Sequence, residues 1–288
     1  MKLIESKVEY IPQEEGLEGI YKQIELAGRT AYHSLDKITP DSAKDFVDRM
    51  IKSKHGACLE HGTVYLAIPY TDEETLSHYR GVAGKYNEIE FTKYSKVTMM
   101  RGTHNYVTTN YRVLVENNWL DDLKYLCEPT TWHEKRYTFR MVTSIGVTRE
   151  LNRHRVNSIA EQSTRYCNYA KDKFGNEITF CKPVWAPDYD EADWDRFLKA
   201  LFEAENAYLG LINQGWQPQQ AREVLPLCTA SEIIHTAFAS DWRFFFDLRL
   251  FAKTGNPHPN MLLLAQKMKA EAEDKDVWND IMRYHSKF

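Results

Sequence analysis

Arg136-Tyr137-Thr138-Phe139-Arg140-Met141-Val142-Thr143-Ser144-Ile145-Gly146 reads as a strand, because β-branched and aromatic residues dominate it. It feeds almost directly into Arg149-Glu150-Leu151-Asn152-Arg153-His154-Arg155-Val156-Asn157-Ser158-Ile159-Ala160-Glu161-Gln162-Ser163-Thr164-Arg165-Tyr166. That second stretch packs four arginines, a histidine and two glutamates among few apolar residues. Wound as a helix it would present no clean apolar stripe. Guanidinium forks pair bidentately with phosphate and carboxylate, so Arg153-His154-Arg155 points to an anion. The alternative is a solvated face whose arginines pair weakly with Glu150 and Glu161.

The whole chain narrows the choice of anion. Its 288 residues are 43% hydrophobic and 27% charged, and carry a net charge of −4. A generic nucleic-acid binder would be basic, so these arginines form a local site on an acidic protein, and no nucleic-acid partner is expected. No apolar run is long enough for a membrane span, and residues 1–15 lack a signal-peptide pattern. The five cysteines are Cys58, Cys127, Cys167, Cys181 and Cys228, and none are spaced as Cys-x-x-Cys. That usage fits free thiols in the reducing cytoplasm, and no metal site is expected. Neither a Gly-x-Gly-x-x-Gly nor a P-loop element occurs, so a bound nucleotide would have to be held by arginine side chains.

Outward from the opening stretch, residues 2–11 read as a strand ended by Pro12, and Leu17–Ser34 as a helix. Asp41-Ser42 caps a helix with the stripe Ala43, Phe46, Val47, Met50 and Ile51, which is expected to stop in a left-handed turn at Gly56. Thr63–Ile68 is a strand. From residue 69 to 135 the sequence turns polar, with Thr108–Tyr111 and Glu116–Asn118 as punctuation and short helices expected at Asp72–Tyr79 and Leu120–Leu126. It reads as an elaboration within a single domain spanning 1–288, because its apolar content is too broken for a core of its own. Beyond a short strand at Ile178–Cys181, helices are expected at Asp193–Gly215, Pro218–Leu225, Ser231–Phe251 and Asn260–Tyr284. The fold class is α/β (α+β), a small central mixed sheet flanked by helices with a helical second half.

Two downstream arginines stand out. Arg222 sits beside Val224 and Leu225, and Arg249 lies within Phe244-Phe245-Phe246-Asp247-Leu248-Arg249-Leu250-Phe251. A buried guanidinium needs a partner, so Arg249 calls for a ligand anion, or else Asp247 or Asp241. Cys228 follows Pro226-Leu227 with no histidine close behind to lower its pKa, so it reads as an inert thiol.

Arg153-His154-Arg155, then seven residues, then Ser163, with Arg165-Tyr166 after it, resembles the signature of the flavin-dependent thymidylate synthases. His55-Gly56 with Glu60-His61 ahead of a strand is similar to the family's early flavin-contacting segment. Ala221-Arg222-x-Val224-Leu225-Pro226 and Leu248-Arg249 match two later elements. The resemblance covers about residues 40–68 and 136–251. It implies methylation of deoxyuridine monophosphate (dUMP) to thymidine monophosphate, with methylenetetrahydrofolate as carbon donor. FAD reduced by NADPH would supply the hydride, and no enzyme cysteine would act as nucleophile. It further implies a homotetramer with shared sites. His55, Ala57, Arg153, His154, Arg155, Val156 and Glu161 would line the FAD. Glu150, Arg153, Glu161, Ser163, Thr164, Arg165, Arg222 and Arg249 would surround dUMP, with Arg249 the catalytic group. The chain departs from the pattern at Glu150, where some members carry Gln, and at Phe244, where Asn or His often touches the flavin. The competing class is a non-catalytic nucleotide- or RNA-binding protein using the same arginine cluster.

Overall fold

A computed structural model describes residues 1–69, 82–88, 93–99, 103–171 and 174–286. The helix expected at Asp72–Tyr79 lies outside these residues. The quoted strand is β6 (Arg136–Ser144), and it lies inside a four-stranded sheet. β2 (Lys7–Tyr10) flanks it on one side. On the other side is β9 (Ala230–Phe238), followed by β7 (Ser158–Glu161). All three pairings are antiparallel, whereas the parallel pairing joins β1 (Lys2–Ile4) to β8 (Thr179–Cys181) in a separate two-stranded sheet. The α/β class expected from the sequence is thus seen, with its central sheet antiparallel and its parallel pair set apart.

β9 corrects the reading of Ser231–Phe251 as one helix. Residues 230–238 are a strand, and the helix α8 (Ala239–Arg249) begins only afterwards. Every residue of β9 is buried, so the strand lacks the polar alternation that marks a half-exposed one. Its polar and apolar residues come in pairs (Ser231-Glu232, Ile233-Ile234, His235-Thr236, Ala237-Phe238), a pattern without period two that reads as readily as a helix. Residues 2–11 likewise divide into β1 and β2. The last expected helix divides into α9 (Pro259–Asp274) and α10 (Trp278–Met282), with Asp276 left-handed between them.

Among the other helices, α1 (Gly16–Ala31) and α2 (Ser42–Lys52) lie close to their expected positions. The left-handed stop after α2 falls on Lys54, at φ +58, while Gly56 opens the short helix α3 (Gly56–Leu59). Of the stretch 69–135, Thr108–Asn110 is not punctuation. It ends the strand β5 (His104–Asn110), which pairs with β3 (Thr63–Pro69) and β4 (Lys96–Met99). Asn110 then caps the helix α4 (Tyr111–Glu116) by accepting from the Val113 amide. Leu66, Tyr86, Val107 and Leu114 pack with Ile20, Ile24, Phe46 and Val47 of α1 and α2, so this stretch shares a core with the N-terminal helices.

The second core lies under the four-stranded sheet. Phe139, Met141, Ile233, Trp242, Phe245 and Phe246 join Met261, Leu264 and Met268 of α9 there. α6 (Glu191–Asn213) is capped by Asp190 and stops at Gly215, at φ +91. It closes a third cluster with Cys167, Tyr169, Ile178 and Phe180.

Candidate active site

β6 turns without a loop into α5 (Ile145–Leu151), because Ser144 caps that helix by accepting from the Val147 amide. The first turn of α5 is fixed to the segment before β9, with Ile145 N donating to Thr229 O and Gly146 N to Leu227 O. This places Glu150 in the last turn of α5, opposite Arg249 in the last turn of α8. Arg249 Nη1 donates to Glu150 Oε2 at 2.6 Å, and Arg249 Nε donates to His154 Nε2 at 3.2 Å. The partner is therefore Glu150. Asp247 instead pairs with Arg243 at 3.2 Å. The same pair explains how a glutamate is tolerated at position 150, since the Arg249 guanidinium neutralises it.

His154 is buried against Phe245 and Phe244, with ring centroids at 5.1 and 6.3 Å. Burial, reinforced by the Arg249 charge, lowers its pKa to about 4, which suits its role as an acceptor toward Arg249. His61 and His235 are buried nearby. Burial lowers His61 to about 3, with the Arg136 charge adding to the effect. Burial also holds His235 well below its ordinary value, helped by His154 and His61. Below pH 6.5 the unfolded chain binds protons that the folded chain refuses until about pH 4 or lower, so stability must fall as pH falls through this window. Denaturant titrations at pH 7 and pH 5 are expected to show that loss, and a free energy independent of pH over this range would contradict it.

Between α5 and β7 the arginine stretch is a turn. Arg153, Arg155 and Val156 are exposed, and Val156 is left-handed at φ +68. A β-branched residue in that region is strained by about 1–3 kcal/mol, a cost found most often at ligand clamps. The side chains of Arg149, Arg153 and Arg155 have no ion-pair partner among the described residues. The solvated-face alternative required just such pairs with Glu150 and Glu161, and they do not form. Glu161 instead accepts from Asn152 Nδ2 at 3.2 Å and Ser231 Oγ at 2.9 Å.

The other predicted residues fall into two groups. Arg222 Nη1 donates to Thr164 Oγ1 at 3.1 Å. Arg165 Nε donates to Gln219 Oε1 at 2.9 Å, and the Arg165 amide donates to Ser163 Oγ at 3.3 Å. The far half of the chain thus meets the Ser163–Arg165 turn. His55 and Ala57 are exposed on and beside α3, and no hydrogen bond among the described residues joins them to Arg153–Val156. Sequence reasoning missed Asn152, Gln219, Ser231 and His235. The last two were hidden inside the misread helix, where a serine and a histidine in a β-branched run were the available signal.

The sequence model of the thymidylate synthase complementing protein family matches residues 93–276. The chain belongs to that family. The match takes in the arginine stretch and both downstream arginines, while the early segment at 40–68 lies outside it. Among curated members, the flavin-dependent thymidylate synthase of Pyrococcus furiosus is 33% identical over 103 residues, 36% of this chain and 41% of that one. The enzyme of that name from Geobacter sulfurreducens is 30% identical over 135 residues, 46% of this chain and 55% of that one. The chain thus spans about half the length of these relatives. A solved structure titled UMP/dUMP methylase PolB from Streptomyces cacaoi, bound with 5-Br dUMP, aligns over 99% of this chain and 98% of its own. It does so at 17% identity and a TM-score of 0.45.

Among the described residues, no group of three His, Cys, Asp or Glu side chains is placed to hold a metal ion. Likewise, no helix is long and apolar enough to cross a membrane.

Proposed function

We propose that this chain methylates dUMP to thymidine monophosphate, taking the carbon from methylenetetrahydrofolate. When bound, FAD reduced by NADPH supplies the hydride. The observation that carries this reading is the set of three guanidinium groups, Arg149, Arg153 and Arg155, that have no ion-pair partner among the described residues and lie around a strained turn in a family-matched segment. An open cationic turn fits the doubly anionic pyrophosphate of a dinucleotide without a glycine loop.

The chain's own residues divide the remaining work. Arg165 and Arg222, near Ser163 and Thr164, grip the nucleotide phosphate. Glu161 is held by Asn152 and Ser231 with its carboxylate fixed in direction. Arg249 stabilises negative charge on the uracil ring. Two of its nitrogens are engaged by Glu150 and His154, while Nη2 makes only a 3.4 Å contact to the Glu150 carbonyl, so a donor remains for a ligand. His55 and Ala57 complete the flavin contacts, and exposed Tyr166 and Leu227 suit burial between copies in a homotetramer.

Purified chain supplied with FAD is expected to turn yellow, to oxidise NADPH in a dUMP-dependent manner, and to form thymidine monophosphate only when methylenetetrahydrofolate is also present. A preparation that takes up no FAD would sink the proposal. Burial raises the Cys228 thiol to about 11 and the Cys181 thiol to about 12, so neither is a nucleophile at neutral pH. Cys228→Ser is accordingly expected to keep turnover within about twofold, since the reacting form of a cysteine is its thiolate. A large loss in that assay would return the cysteine to the mechanism.

A further inference from the structure

Arg136 belongs to none of the motifs above, yet it is a buried guanidinium, 8% exposed, at the first position of β6. Among the described residues it makes no ion pair. Its acceptors are all neutral. Nη1 donates to the Glu60 carbonyl at 3.0 Å and to Thr63 Oγ1 at 3.2 Å, while Nη2 donates to Ser158 Oγ at 2.8 Å. Ser158 Oγ in turn donates to the same Glu60 carbonyl at 3.3 Å. Nε has no hydrogen-bond partner among the described residues, and the guanidinium lies 5.5 Å from the centre of the Phe238 ring. The Glu60 carboxylate is bonded to Arg112 of α4 at 2.6 Å, and like Asp241 it reaches Arg136 only by longer-range attraction.

Burying a cation against neutral acceptors is a costly way to start a strand, and an apolar residue would serve β6 better. What the guanidinium adds is a rigid fork whose two arms reach different segments. Glu60 directly follows α3, with His55 and Ala57 at its start. Ser158 follows Arg153–Val156 after one intervening residue and opens β7. The next residue back, Asn157, donates through Nδ2 to buried His235 Nε2 at 2.9 Å, which fixes the end of the strained turn.

We propose that Arg136 is the positioning residue that holds the two candidate flavin segments, His55–Ala57 and Arg153–Val156, at a fixed spacing. It does so through Glu60 and Ser158, without touching the cofactor. This rests on the flavin reading given above. It also explains how the two segments cooperate when no direct hydrogen bond links them.

Ser158→Ala is the mild test, because it removes one arm's acceptor and leaves the strand pairing. FAD titration is expected to show affinity falling roughly tenfold, since a hydrogen bond to a charged group is lost. Turnover at saturating FAD should stay within about threefold, because Arg249 is untouched. Amide exchange should quicken in both 55–61 and 153–157, and Ser158→Thr should restore the affinity. Arg136→Lys should bind FAD as poorly as Arg136→Gln, since one ammonium cannot reproduce the two-armed fork. If the parent takes up FAD while Ser158→Ala and Arg136→Gln bind it equally well, the positioning role is overturned and the flavin reading stands. If the parent takes up no FAD, both fall together.

Discussion

Replacement of Arg249 by alanine is expected to lower kcat by roughly 10²- to 10³-fold while FAD uptake persists, the loss typical of removing one preorganised donor. The magnitude follows from where the group sits. Arg249 ends α8 and is held by Glu150 and by the neutral ring of His154, so it needs no reorganisation to meet developing charge. Alanine would also strand the partly buried Glu150 carboxylate, costing about 1–3 kcal/mol of stability. Pairing the change with Glu150→Gln separates the two effects, because the double variant should regain stability and still fail to turn over. Arg249→Lys should fall between the parent and alanine, since it keeps the charge without the fork. Turnover equal to the parent's in Arg249→Ala would remove Arg249 from the catalytic role.

Trp242→Ala is expected to be the most damaging single change to the fold, at roughly 3–5 kcal/mol. The indole is fully buried. It contacts Phe139 and Phe245 edge to face at 5.1 and 5.4 Å, and lies 4.5 Å from the His235 ring. Its Nε1 donates to the Tyr137 carbonyl at 2.9 Å, so truncation opens a cavity and also removes a buried hydrogen bond. Trp242 joins the face of α8 to β6 and β9, so loosening it should also misplace Arg249 about two turns further on. Urea denaturation of the two proteins provides the check. A difference below about 1 kcal/mol would show that the site collapses around the deletion more completely than such cores usually do.

The legible parts of the fold were those with a periodic pattern of their own. α1 and α6 each bury one face, so their spacing announces them. β9 buries both faces and hides its period, which is why Ser231 and His235 could not be assigned to the site. The candidate site was legible where its chemistry is local, as in Arg153-His154-Arg155 and Ser163 to Arg165. Its pairings were not. Asp247 and Asp241 are near Arg249 in the chain, yet helix geometry turns Asp247 toward Arg243, one turn earlier. Glu150 is remote in sequence and adjacent in space, a relation set by the register of β6 on β9. The strand β5 was equally hidden, because Thr108, Thr109 and Asn110 are polar residues buried in a sheet.

The pairing of β6 with β9 also bears on the order in which the protein can assemble. Arg136 lies opposite Phe238 and Ser144 opposite Ala230, so the central pair joins segments separated by about a third of the chain. Non-local pairings of this kind cost loop-closure entropy before they return any stabilisation. A ribosome would release the arginine turn well before the strand that anchors both β6 and β7. Until β9 arrives, that turn has its guanidinium groups and neither its Asn157–His235 clasp nor the opposing Arg249. Competence to hold ligand is therefore expected to appear late in refolding, in step with burial of Trp242, and stopped-flow tryptophan fluorescence read beside FAD quenching would show the two events together.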